Sequence, residues 1–180
     1  REGGVIAYPT DSVYGLGCSL YNKKGIERIY RIKRTEKTRP FSFICADLKD
    51  ISLYCKVSNY AYKTMRRLLP GPYTFILEGT KLVPKIMLTR RLTAGIRVPN
   101  NPICMAIVRE LEHPIISTSA MLPEGEVLYD PAEIESKLGH ALDLVIDGGL
   151  CVSEPSSVID LTGDRPKVLR KGKGDVSLFL

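Results

Sequence analysis

Tryptophan is absent, and His113 and His140 are the only histidines in 180 residues. A histidine-rich metal centre is thereby excluded, and a Ser-His-Asp triad has few candidates. Both histidines fall near the ends of predicted helices, where a cationic ring suits the carboxyl-terminal dipole. The five cysteines, Cys18, Cys45, Cys55, Cys104 and Cys151, never stand as C-x-x-C. Scattered, odd in number and mostly beside apolar runs, they are expected to be buried thiols of a protein in a reducing cytoplasm. No apolar stretch approaches a membrane span, and no signal-peptide pattern is visible. The first residue is Arg1 and not Met, so preceding sequence is expected. The P-loop, a G-x-G-x-x-G after a strand, H-E-x-x-H and G-x-S-x-G are all missing. Any catalysis is therefore expected to rest on positioning and charge, without an activated side-chain nucleophile.

Acidic residues are also missing where basic ones gather. Residues 23–39 carry eight basic side chains against Glu27 and Glu36, and residues 81–97 carry five with no acid. Residues 109–164 hold two basic and twelve acidic residues, and Arg170, Lys171 and Lys173 form a last basic cluster. Such segregation within a net charge of +6 implies one positive face and phosphate-bearing partners.

The apolar pattern alternates between strand and helix periods, as in an α/β domain of roughly seven strands and four or five helices. Strands are expected at Val5–Tyr8, Phe41–Cys45, Tyr73–Leu77, Ala94–Val98, Ile115–Ser119, Leu144–Ile146, Val158–Leu161 and Lys167–Arg170. The last two are close enough for a hairpin, so the sheet should be mixed. Asn22, Ser58, Asn101 and Asp130 have the chemistry of helix caps, and Gly139 suits a helix stop. Residues 1–180 read as one domain.

Four clusters carry potential chemistry. Thr10-Asp11-Ser12 follows a strand and Pro9, at the strand end where open α/β sheets bind ligands; helix capping is the competing role for Asp11 and Ser12. Lys33 and Arg34 lead through Lys37 and Arg39 to Pro40, with cations suited to phosphate oxygens. Arg97 lies within an apolar strand and needs an anionic partner, either a ligand carboxylate or a structural Asp. Ser117-Thr118-Ser119 closes another strand with three hydroxyls, a theme repeated by Ser156-Ser157 and Arg170.

In this order and spacing the clusters resemble the YrdC/YciO family over nearly the whole chain. The carriers are Pro9-Thr10-Asp11-Ser12-Val13-Tyr14-Gly15-Leu16, Lys33 to Pro40, Arg97-Val98-Pro99, Ser117-Thr118-Ser119-Ala120, Ser156-Ser157-Val158-Ile159-Asp160 and Arg170-Lys171-Gly172. The resemblance implies a single twisted mixed parallel/antiparallel sheet flanked by helices, with a concave basic cavity. It implies synthesis of L-threonylcarbamoyladenylate from threonine, bicarbonate and ATP, which feeds tRNA modification; the alternative is a double-stranded RNA-binding, translation factor-like paralogue. Under the first reading Lys33 is catalytic, Thr10 and Arg97 hold threonine or a related small acid, and Lys33, Thr93, Ser119, Ser157 and Arg170 surround ATP. Mg²⁺ would arrive with the nucleotide, with no protein-held metal site. Arg34, Lys37, Arg39, Arg90 and Arg91 would form the nucleic-acid face. Thr35 and Met121 depart from the synthase pattern, which places the chain nearer the YciO branch.

Overall fold

The computed structural model describes residues 1–37 and 40–180. Among these residues nine strands form one sheet: β1 (Ile6–Tyr8), β2 (Gly15–Gly17), β3 (Ser42–Ile44), β4 (Tyr73–Glu78), β5 (Thr93–Arg97), β6 (Ile115–Ser119), β7 (Leu144–Val145), β8 (Ser157–Asp160) and β9 (Lys167–Arg170). Their spatial order is β7-β1-β2-β6-β3-β5-β4-β8-β9. β1–β7, β3–β5 and β4–β8 are parallel, and the other five pairs are antiparallel, including the expected β8–β9 hairpin.

Among the described residues five α-helices flank the sheet: α1 (Lys23–Lys33), α2 (Leu48–Tyr54), α3 (Asn59–Leu68), α4 (Pro102–Leu111) and α5 (Pro131–Leu138). Asn22, Ser58, Asn101 and Asp130 cap four of them, each side-chain oxygen accepting a first-turn N–H. Gly139 ends α5 differently from a left-handed glycine stop. Its φ of −56° is right-handed, and the chain passes directly into a 3₁₀ turn at Gly139–Ala141.

Register decides the rest. Ile116, Phe43, Ile96, Phe75 and Ile159 pair side by side across β6, β3, β5, β4 and β8. All five are at most 1% exposed, so they form one continuous apolar row. Burying each such side chain is worth about 1.5–3 kcal/mol. Because strand side chains alternate between faces, the neighbouring positions point the other way. Of these, Ser42, Thr74, Ile76, Gly95, Arg97, Ser117, Val158 and Asp160, small or polar for the most part, line a cavity on the opposite face. The apolar face thus anchors the sheet while its reverse is left for polar chemistry.

Two elements were not visible in the apolar pattern. β2 is built on Gly15 and Gly17, packed beneath the buried ring of Tyr8. A Cβ on Gly17 would lie 2.1 Å from the Ile116 carbonyl and 2.8 Å from that ring. Only glycine lets these strands close here. α2 is a short seven-residue helix that begins where the Asp47 carboxylate accepts the Asp50 N–H.

Candidate active site

The cavity measures about 820 Å³, within the roughly 300–1,000 Å³ typical of small-molecule sites. Lys33, Arg34, Arg90, Arg91, Arg97 and Arg170 line it against one carboxylate, Asp160, among the described residues. That carboxylate accepts from the Thr162 N–H and hydroxyl, at 2.8 and 2.6 Å.

Arg97 organises one wall. Its Nη2 donates to Asp11 Oδ1 at 3.1 Å and to Ser12 Oγ at 2.9 Å, while Nη1 stands 3.5 Å from Ser117 Oγ. The Arg97 and Asp11 side chains are 7% and 8% exposed. A structural Asp therefore does partner this arginine, one of the two options open from sequence. The guanidinium is still not satisfied, because its buried Nε has no hydrogen-bond partner among the described residues. A buried, charged donor without an acceptor costs free energy unless a ligand supplies one.

Asp11 and Ser12 do not cap a helix. They belong to the turn joining β1 to β2, which is ordered by a relay of hydroxyls. Arg97 donates to Ser12 Oγ, Ser12 lies 3.1 Å from Thr10 Oγ1, and Thr10 donates to the Val13 carbonyl at 2.7 Å. The Ser12 N–H closes the relay onto Thr10 Oγ1 at 3.0 Å. Thr10, expected to meet substrate, is 3% exposed and spends its hydroxyl inside the turn; Ser12 is the member that reaches the cavity.

Lys33 ends α1 and reaches across to β6. Its Nζ donates to Thr118 Oγ1 at 2.7 Å and to the Ser119 carbonyl at 2.8 Å. Both acceptors are neutral, and burial pushes the ammonium down to about 8. A desolvated cation with no counter-ion among the described residues is primed for an anionic ligand. Arg34, the left-handed C-cap with φ of 49°, turns the chain from α1 into the cavity rim.

Arg170 forms the opposite wall. Nε and Nη2 both donate to the Ser156 carbonyl, at 3.0 and 2.8 Å, and Ser156 Oγ lies 2.7 Å from Thr74 Oγ1. Burial first, and then the Arg97 charge, lower its pKa, so the two guanidiniums share one field. Thr93 and Ser119 also face the cavity; the Thr93 hydroxyl sits 2.7 Å from that of Thr89.

Ser157 is not on this wall. It is fully buried, donates to the Gly174 carbonyl at 2.6 Å and accepts the Gly172 N–H at 2.9 Å. Strand alternation gives the cavity position to Ser156. Arg90 and Arg91 are exposed at the mouth, whereas Lys37 lies outside the cavity, 3.7 Å from Glu27. Arg39 lies outside the described residues. Thr35 and Met121, the departures from the synthase pattern, both line the cavity.

Reactive groups are scarce elsewhere. Cys18, Cys55 and Cys104 are buried and pushed up to about 12 by desolvation, and Cys45 is raised well above its ordinary value. Such thiols are inert. No group of three His, Cys, Asp or Glu among the described residues could hold a metal ion. No helix among them is long and apolar enough to cross a membrane.

This arrangement can be set beside known proteins. The Sua5/YciO/YrdC family model, described as telomere recombination, matches residues 1–172. The chain belongs to this family. It is 48% identical to YciO of Escherichia coli K12, over all of the chain and 88% of that protein. The E. coli YciO crystal structure superposes with a TM-score of 0.95, over the same shares of each chain. A putative threonylcarbamoyl-AMP synthase of Methanocaldococcus jannaschii is 34% identical over 95% of this chain and 81% of its own. Sua5 of P. abyssi, crystallised with L-threonine, is 28% identical, with a TM-score of 0.90 over 96% of this chain and 51% of its own. The α/β fold with a mixed sheet is the fold of these relatives.

Proposed function

We propose that this family member is an ATP-dependent carbamoyl-adenylate synthase. It would take threonine or a related small amino acid with bicarbonate and ATP, release pyrophosphate, and serve the threonylcarbamoyladenosine modification of tRNA. The observation that carries this reading is the unpartnered, buried Nε of Arg97 on the wall of a cavity that also holds Lys33 and Arg170. An amino-acid carboxylate supplies the acceptor that Nε lacks, and a polyphosphate supplies the charge that Lys33 lacks. The names of the relatives support the same chemistry, as does the threonine bound to P. abyssi Sua5.

The chemistry balances without a covalent enzyme intermediate. The substrate amine takes the carbon of bicarbonate with loss of water, giving a carbamate. A carbamate oxygen then attacks the α-phosphorus, and the bond from that phosphorus to the pyrophosphate oxygen breaks. What the protein must supply is alignment and charge neutralisation. Arg97 fixes the carboxylate, with Ser12 and Ser117 beside it. Lys33, near the hydroxyl of Thr118, meets the phosphates, and Arg170, Thr93 and Ser119 complete the nucleotide wall. Mg²⁺ enters with ATP as part of the substrate: Asp160, whose Oδ1 accepts from Thr162, is the single wall carboxylate among the described residues.

The test is pyrophosphate release from ATP, with and without threonine and bicarbonate, for wild type and Lys33→Ala. Release that needs all three reactants and is lost in Lys33→Ala supports the synthase. No release in wild type, together with double-stranded RNA binding that weakens steeply with salt, would make the protein a non-catalytic RNA binder acting through Arg34, Arg90 and Arg91.

A further inference from the structure

The turn that presents Asp11 to Arg97 is held from outside by donors on three distant segments. Asn101 Nδ2 donates to the Thr10 carbonyl at 3.4 Å. Cys151 Sγ donates to the Ser12 carbonyl at 2.9 Å. Lys173 Nζ donates to the Asp11 carbonyl across 162 residues of sequence. Of the three, Lys173 alone brings a full charge, and a charge-assisted hydrogen bond is about twice as strong as a neutral one.

The backbone around Lys173 is fixed with corresponding care. Its N–H donates to the Pro155 carbonyl at 2.9 Å. Buried Ser157 clasps the residues on either side, accepting from Gly172 N–H and donating to Gly174 carbonyl. Gly172 and Gly174 cannot be exchanged for larger residues in this path. A Cβ would lie 2.2 Å from the Pro155 carbonyl at the first and 2.6 Å from the Tyr73 ring at the second. The Tyr73 hydroxyl in turn donates to the Asp175 carbonyl at 2.9 Å. The strap that follows β9 is therefore held at Pro155, Ser157 and Tyr73, and it brings the solvent-exposed Lys173 against the turn.

We infer that Lys173 is a positioning residue: it fixes the Asp11 turn, and through Asp11 and Ser12 it sets the Arg97 guanidinium for the carboxylate of the amino-acid substrate. The inference rests on the amino-acid role proposed for Arg97. It also gives Ser157 a different task from nucleotide contact, that of holding the strap. The Asp11 carboxylate has a second anchor, the Asn100 N–H at 2.7 Å. Losing Lys173 should thus loosen the turn without unfolding the protein.

The experiment is calorimetric titration of the full chain with L-threonine, for wild type, Lys173→Met, Lys173→Arg and Lys171→Met. It is paired with NMR observation of the Arg97 Nε–H and the Ser12 and Val13 amides. Lys173→Met is expected to bind threonine roughly tenfold more weakly, the scale of one lost hydrogen bond. ATP affinity and melting temperature should hold. Lys173→Arg should restore most of the affinity, and Lys171→Met should match wild type. In Lys173→Met the Arg97 Nε–H and the turn amides should exchange faster. Unchanged exchange at Arg97 and the turn in Lys173→Met overturns the inference, as does equal loss of threonine and ATP binding. If wild type binds no threonine, the amino-acid role of Arg97 fails on its own, and the exchange measurements still decide whether Lys173 sets the guanidinium.

Discussion

Arg97 and Asp11 form an ion pair at 3.1 Å between side chains that are 7% and 8% exposed, yet one nitrogen of that guanidinium is left without an acceptor among the described residues. The pair is both a structural joint and an incomplete binding site. Such pairs gain little relative to apolar packing, because desolvation offsets attraction, but breaking one partner away is expensive. Asp11→Ala should therefore cost about 3–5 kcal/mol, read as a lowered urea midpoint at unchanged m-value. Threonine should restore part of that loss, since its carboxylate offers Arg97 a replacement anion. A midpoint equal to wild type would mean that the Arg97 charge is compensated by other groups.

Lys33 carries a pH dependence whose sign is fixed by burial. Its folded pKa, lowered to about 8 from an ordinary value near 10.5, penalises the charged form. The full penalty acts on the empty protein below pH about 8 and is relieved as pH rises from there towards the unfolded value. Lys33→Met should consequently raise the melting temperature of the empty protein at neutral pH while abolishing pyrophosphate release, an exchange of stability against function. In wild type, ATP affinity should be flat below pH about 8 and weaken above it, as the cation is lost. Isothermal titration across pH 6.5–9.5, a window of roughly 3 units around that value, checks it. Affinity independent of pH would remove Lys33 from the phosphate site.

Ser157 is buried and makes two hydrogen bonds to the tail, so Ser157→Ala leaves Gly172 N–H and Gly174 carbonyl without that partner. The expected cost is about 1–3 kcal/mol, measured by thermal or urea denaturation. Threonine affinity should fall with it, because Lys173 loses its support, while ATP affinity should change little. Ser156→Ala should show the reverse preference. Its side chain lines the cavity beside Thr74 and Arg170, so the nucleotide should suffer more than the fold.

The contrast between these serines marks how far the sequence could be read. Asn22, Ser58, Asn101 and Asp130 were recognisable as caps because capping is local chemistry, decided within four residues. Lys33, Thr93, Arg97, Ser119 and Arg170 were recognisable as a set, and the fold does bring them to one cavity. The face taken by each serine was not legible. Val158 and Ile159 are adjacent and both apolar, so the strand showed no alternation from which to assign Ser156 and Ser157. The place of the Thr10 hydroxyl was illegible for a related reason, since a hydroxyl after a strand serves a turn as readily as a ligand. β2 was invisible because Gly15 and Gly17 have no strand propensity; their place is dictated by Tyr8 and Ile116, distant in sequence.

Gly95 tests the sheet face itself. It lies in β5 on the cavity floor, directly beside Ile76 of β4, with Ser42 and Thr74 close by. An added Cβ would meet Thr74 Cγ2 at 2.9 Å, Ser42 Cβ at 3.2 Å and Ile76 Cδ1 at 3.4 Å. The nearest of these is a side-chain methyl, so Gly95→Ala can be accommodated if Thr74 turns away. That rotation disturbs the Thr74–Ser156 hydrogen bond and, through Ser156, the Arg170 wall. The fold should lose about 1–3 kcal/mol from crowding, whereas ATP binding should weaken by at least roughly tenfold, equivalent to about 1.4 kcal/mol. Gly95→Val should abolish binding in a protein that still melts cooperatively. Retained ATP affinity in a folded Gly95→Val protein would place the nucleotide away from the β4–β5 floor, and would move the proposed chemistry towards the cavity mouth at Arg90 and Arg91.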